Sequence, residues 1–242
     1  MGDLDIMQKI WEWAKENLTK EEISNKLLLA TDSEGNTAWH LAAGIGQLDV
    51  LEKIWDWAKD NPKREEISNE LLLATNKLSR TAWHVAEKKG HVDVLQKIWE
   101  WAKEYLTAEE ISIILLLATD SHGNTAWQLA AEKGQLDILQ KIWEWAKENL
   151  TTEKISNKFL LATDSEGNIT WHLAAEKGQL DLLQKIWEWA EENLTAEEIT
   201  NKLLLTTDSH GNTAWNLAAE KSKLDVLQKK WEWAKENLQQ RR

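Results

Sequence analysis

An all-α solenoid is the fold class that this 242-residue sequence predicts, and three observations predict it. The first is a strict period. Leu4-Asp5-Ile6 returns at Leu48-Asp49-Val50, Val92-Asp93-Val94, Leu136-Asp137-Ile138, Leu180-Asp181-Leu182 and Leu224-Asp225-Val226, always 44 residues on, with no insertion or deletion. A fixed period of this size marks an array whose units bury their apolar faces only by stacking on neighbours. The second observation is helical apolar spacing within each repeat. The third is composition: 42% hydrophobic residues and 17 Trp supply ample surface for a core. These assign repeats 4–47, 48–91, 92–135, 136–179 and 180–223 to one elongated domain, 1–242, closed by a C-terminal cap helix over 224–242.

The first repeat serves as the type. Leu4 to Leu18 reads as a long helix on which Leu4, Ile6, Met7, Ile10, Trp11, Trp13, Ala14 and Leu18 fill half the circumference. Trp11 and Trp13 point about 200° apart and flank that arc. A second helix is expected from Glu21 to Ala30, with Ile23, Leu27 and Ala30 on one stripe. Thr19 and Glu22 have the spacing of a capping box, repeated at Thr107/Glu110 and Thr195/Glu198 and broken by Lys154. Asp32-Ser33-Glu34-Gly35-Asn36 is turn chemistry: Asp32 can bond nearby backbone, and Gly35 can take positive φ. A short helix follows, with Thr37 as its N-cap, Ala38 to Ala43 as its body and Gly46 ending it.

The stretch Asp32-x-x-Gly35-x-Thr37-Ala38-Trp39-His40-Leu41-Ala42-Ala43-x-x-Gly46 resembles the ankyrin repeat. It recurs at Thr81-Ala82-Trp83-His84, Thr125-Ala126-Trp127-Gln128, Thr213-Ala214-Trp215-Asn216 and, more weakly, Ile169-Thr170-Trp171-His172. The sequence departs from the family where Ala stands for its Pro and Trp for its Leu, and in a period of 44 rather than about 33. The excess lies in Asn17 to Thr31 and supplies the Glu21–Ala30 helix. The resemblance covers about 20 residues of each repeat. It implies an ankyrin-like array with half-repeat ends, a histidine that ties neighbouring turns together, and a protein-binding role. A HEAT- or armadillo-like solenoid is the alternative, since those repeats span about 40–47 residues.

Composition narrows the function classes. The net charge of −12 disfavours nucleic acid and anionic membranes. There is no Cys for disulfides or thiolate metal sites. No basic-then-apolar leader or membrane-length apolar run is visible, so a cytoplasmic monomer is the expectation. No nucleophile–base pair, phosphate loop or metal spacing appears, so neither catalysis nor a cofactor is expected. His40, His84 and His172 share one position with Gln128 and Asn216, all able to donate and accept. That exchange fits a structural polar link rather than a metal ligand. His122 and His210 read as surface turn residues. Asn17, Asn149, Asn168 and Asn193 form glycosylation sequons by pattern, but helix-end Asn has a local capping reason.

In a near-identical array, function is sought where repeats disagree. The repeats carry −3, 0, −4, −2 and −4 in order, so the second is a basic island. In ankyrin proteins the partner surface is built from turn tips and the start of the concave face. Here those positions carry Lys77, Leu78, Arg80, Lys88 and Lys89, which could seat a protein or acidic peptide. The opposing reading is drift, because this repeat also loses its turn Asp and Gly to Asn76 and Ser79 and carries the single Pro, Pro62. Ile113-Ile114 replaces Asn-Lys and offers an apolar spot for self-association. Lys230, in place of the Ile at 10, 54, 98, 142 and 186, suits a solubilising cap. The expected function is a non-catalytic ankyrin-like scaffold for protein–protein interaction. The alternatives are an engineered or consensus array without a native ligand, and small-ligand binding along a Trp-lined groove.

Overall fold

The computed structural model describes residues 2–60 and 64–229; the cap helix expected over 224–242 is therefore described only to 229, and Pro62 and Lys230 lie outside the described residues. All described elements are helical, and the extended pairings seen are single bridges, Thr31 with Thr37 and Thr119 with Thr125. The chain divides into two compact bodies, 1–108 and 109–242.

The first body holds long helices Gly2–Asn17, Leu48–Lys59 and Val92–Tyr105, and short helices Ala38–Ile45 and Ala82–Lys89. The second holds long helices Leu136–Asn149 and Leu180–Asn193 and short helices Ala126–Lys133, Thr170–Lys177 and Ala214–Glu220. Within each body the short helices stack on those of the next repeat. The expected caps are present. Thr37 Oγ1 accepts from the His40 amide, and Gly46 closes the helix at φ +73°. Thr19/Glu22 and Thr195/Glu198 form reciprocal capping boxes, whereas in the fourth repeat only Thr151 accepting from Lys154 N remains.

The second helix departs from expectation. In the first repeat it is α-helical only over Lys20–Ile23, then widens into a π turn, Ser24–Leu28, closed by Leu29 N donating to Ser24 O at 2.9 Å. The same i→i+5 closure recurs at Leu117 to Ser112, Leu161 to Ser156 and Leu205 to Thr200. An extra residue per turn rotates the apolar stripe, so Ile23 and Leu28 are buried rather than Ile23, Leu27 and Ala30; Ala30 is exposed. The second repeat alone runs as an unbroken α-helix, Arg64–Leu73, with Ala74 N donating to Glu70 O at 2.7 Å.

Trp forms the centre of each body. Trp39, Trp83, Trp127 and Trp171 of the short helices are fully buried. Within the bodies the second Trp of a Trp-x-Trp pair lies on the first Trp of the preceding pair in three places: Trp57 on Trp11 at 4.5 Å, Trp101 on Trp55 at 4.8 Å and Trp189 on Trp143 at 4.8 Å. The indole N–H groups of Trp39, Trp55 and Trp127 are buried with no acceptor, so these rings contribute area and stacking rather than a polar handle. Trp13, at the start of the series, is 57% exposed. In repeats two to five both rings of each pair are buried or nearly so, so no row of exposed Trp edges lines a groove there.

Candidate functional site

The histidine position links consecutive repeats. Thr37 Oγ1 and the Thr37 amide both approach His40 Nδ1, at 2.8 and 3.3 Å, so Nδ1 accepts and Nε2–H donates to Arg80 O at 3.1 Å. Gln128 does the same work with its amide: Oε1 accepts from the Thr125 amide, and Nε2 donates to Ala162 O at 2.9 Å and Asn168 O at 3.2 Å. His172 Nε2 reaches Thr206 O at 3.1 Å. Burial holds the His40 ring below its ordinary pKa, against the opposing pull of the Arg80 and Ala74 carbonyls and Asp32.

The turns stack in parallel with these links. Asp32 Oδ1 accepts from the amides of Glu34 and Asn36, both at 2.8 Å, and the Asn36 amide is the chief cause of its lowered pKa. Glu34 O then accepts from Lys77 N at 3.0 Å, His122 O from Ser165 N at 3.0 Å and Glu166 O from Ser209 N at 2.8 Å. The second repeat keeps the turn without its Asp and Gly. Asn76 Oδ1 accepts from Leu78 N and Arg80 N, at 3.0 and 3.1 Å, and Ser79 takes φ +55°. Asn76 Nδ2 adds a bond to Asn36 Oδ1 at 2.9 Å.

On this frame the side chains at the tips, Ser33-Glu34, Lys77-Leu78, Ser121-His122, Ser165-Glu166 and Ser209-His210, are all exposed. Of the five residues singled out in the second repeat, Lys77, Leu78 and Lys89 are exposed and Lys88 is half-buried. Arg80 is different: it is only 9% exposed, and its carbonyl receives the His40 bond, so it belongs to the frame rather than the surface. Ile113 is 53% exposed, whereas Ile114 beside it is half-buried. Asn17, Asn149 and Asn193 each donate to a Trp carbonyl four residues back at 2.8 Å, the local capping role their positions suggested.

One feature escapes the reading of single repeats. In the third and fourth repeats the π-turn serine ties to the end of the next long helix: Ser112 Oγ donates to Asn149 O at 3.0 Å and Ser156 Oγ to Asn193 O at 2.9 Å. One equivalent pair in the first body is Ser68 and Tyr105, where the helix is α throughout. There Ser68 Oγ is buried with no partner, as is Asn69 Oδ1. Beside them opens a cleft of about 530 Å³, lined among the described residues by Lys59, Glu65, Asn69, Glu104 and Tyr105. Lys59 Nζ lies 3.5 Å from Glu104 Oε2 and 5.8 Å from the Tyr105 ring centroid. The ring itself stands edge-on to Trp55 at 5.3 Å. Tyr105 is the single Tyr of the chain and replaces the Asn of positions 17, 61, 149 and 193, which is the signal that marks this place in the sequence.

Among the described residues no group of three or more His, Asp or Glu side chains could hold a metal ion, and no helix is long and apolar enough to cross a membrane. No protein-family model matches the chain, and comparison with curated proteins finds no match.

Proposed function

We propose that the chain is an ankyrin-like, non-catalytic repeat scaffold that binds a protein partner through its turn tips and the adjoining short-helix ends. The observation that carries this reading is the state of the tips. Their backbones are held between repeats by Lys77 N to Glu34 O, Ser165 N to His122 O and Ser209 N to Glu166 O, while the side chains at each tip stay exposed. A backbone ordered before binding costs little entropy at association, so variable side chains on it can confer specificity. Charge assigns the partner contact to the second repeat, where Lys77, Lys88 and Lys89 interrupt an otherwise acidic series. The partner segment is therefore acidic.

The test compares wild-type protein with the variant Lys77→Ser, Leu78→Glu, Lys88→Glu, which copies other repeats and leaves buried Arg80 in place. A lysate pull-down at physiological salt should recover an acidic partner with the wild type alone. Equal recovery by both folded proteins, or no specific recovery by either, would overturn the assignment to this repeat.

A further inference from the structure

We infer that the Lys59–Tyr105 cleft is a binding site for an organic cation, an alkylammonium or guanidinium group. This goes beyond the turn-tip scaffold reading and does not depend on it. The cleft's size falls in the usual range of small-molecule sites.

Its chemistry has a surplus of acceptors. Among the described residues Glu65 is exposed and makes no ion pair, and Asn69 Oδ1 is buried with no donor to meet it. Glu104 is partnered only by a long contact to Lys59. Among the described residues of the lining, two carboxylates face one ammonium. The Tyr105 ring adds a face that attracts cations. Lys59 already shows the kind of group the cleft takes. Its ammonium sits over Tyr105 and against Glu104, at distances near the outer limit for both contacts. It leaves Glu65 and Asn69 unmet, so a ligand cation can add to it or displace it.

The repeats provide their own comparison. The fourth repeat holds Lys147 against Glu192 at 3.1 Å, the same pairing as Lys59 with Glu104, but Asn193 stands where Tyr105 would be. There the Ser156 bond to Asn193 O is made, and no orphaned Asn amide oxygen accompanies it. The aromatic face and the unmet oxygen coincide at Tyr105.

The test is a titration with agmatine, which carries a guanidinium and an ammonium, followed by NMR at the Asn69 side-chain amide and the Tyr105 ring in low salt. Nα-acetyl-arginine methylamide stands for a peptide side chain, and Nα-acetyl-aspartate amide is the anionic control. Agmatine should shift both reporters saturably. Tyr105→Asn, which restores the residue of the other repeats, should weaken it at least tenfold. Lys59→Met, which removes the internal competitor, should tighten it severalfold, and both variants should keep wild-type helix content. Binding of both cationic probes would point to a partner's basic side chain as the source of the ligand, and binding of agmatine alone to a free polyamine. No saturable shift with agmatine, an agmatine affinity unchanged by Tyr105→Asn, or one weakened by Lys59→Met would overturn the assignment.

Discussion

Trp13 and Trp189 occupy the same position in their repeats, yet one is 57% exposed and the other 5%, so the pair separates the worth of a buried ring from that of its sequence. Trp189 lies 4.8 Å from Trp143 at an interplanar angle of 19° and 5.1 Å from Trp127. Trp189→Ala removes a buried aromatic ring and leaves a cavity between two others, a loss of about 3–5 kcal/mol. Trp13→Ala removes a ring that water already reaches, for which about 0.5 kcal/mol is expected. With a urea slope of about 2–3 kcal/mol per molar, the first should lower the unfolding midpoint by about 1–2 M and the second by about 0.2 M. Circular dichroism should be the readout, since both substitutions alter the fluorescence they would otherwise report. Comparable losses from the two variants would refute the argument that the stacked second Trp of each repeat carries the core.

Further outcomes follow from the polar frame. A Cβ on Gly123 would stand 2.9 Å from Ser165 N, whereas one on Gly211 meets nothing within 4 Å; both have positive φ. Gly123→Ala should therefore lower the thermal midpoint clearly more than Gly211→Ala, which carries the backbone penalty alone. His40→Leu strands the Thr37 hydroxyl and Arg80 carbonyl and should cost about 1–3 kcal/mol, whereas His40→Gln, copying Gln128, should cost less than half of that. Burial depresses the His40 pKa, so the unfolded chain binds its proton more readily. That contribution is complete above the unfolded pKa of about 6.5 and is lost as pH falls through the lower folded value. Melting between about pH 7.5 and pH 5.5 should show a drop that His40→Gln reduces. Glu22 and Glu198 are held at about 2, chiefly by the Lys26 side chain for the first and the Thr195 amide for the second. Their stabilisation should be complete above about pH 4.5 and lost toward pH 2, visible as fraying of the helices they cap.

Much of the local structure was legible because a single residue type dictates it. Thr37 had to cap, Gly46 had to turn left-handed, and His40 could exchange with Gln128 only if each donates and accepts. The π turns were not legible, because Ile23 to Leu29 suits an α-helix equally well. The choice between i→i+4 and i→i+5 closure appears only once Ser24 O and Leu29 N are seen to meet. Arg80 reads as surface because it is charged, yet its backbone lies in the stack between repeats and its side chain is buried with it. The cleft was hidden for another reason. Its walls come from a helix at 64–73 and from residues 59 and 104–105, which no pattern within one repeat brings together. Only the exceptional Tyr105 hinted at it.

The inter-repeat bonds described above join residues 34 to 45 positions apart: 34 for His172 to Thr206, 37 for Ser112 to Asn149, 40 for His40 to Arg80 and 45 for Lys147 to Glu192. Each closes a chain loop of nearly the same length, so each carries a similar entropic cost of closure wherever it forms. Folding within a body can begin at any adjacent pair of repeats and spread outward, without waiting for distant ends to find one another. Adding or deleting whole repeats should change the total stability while leaving the rate of the first nucleating event nearly constant.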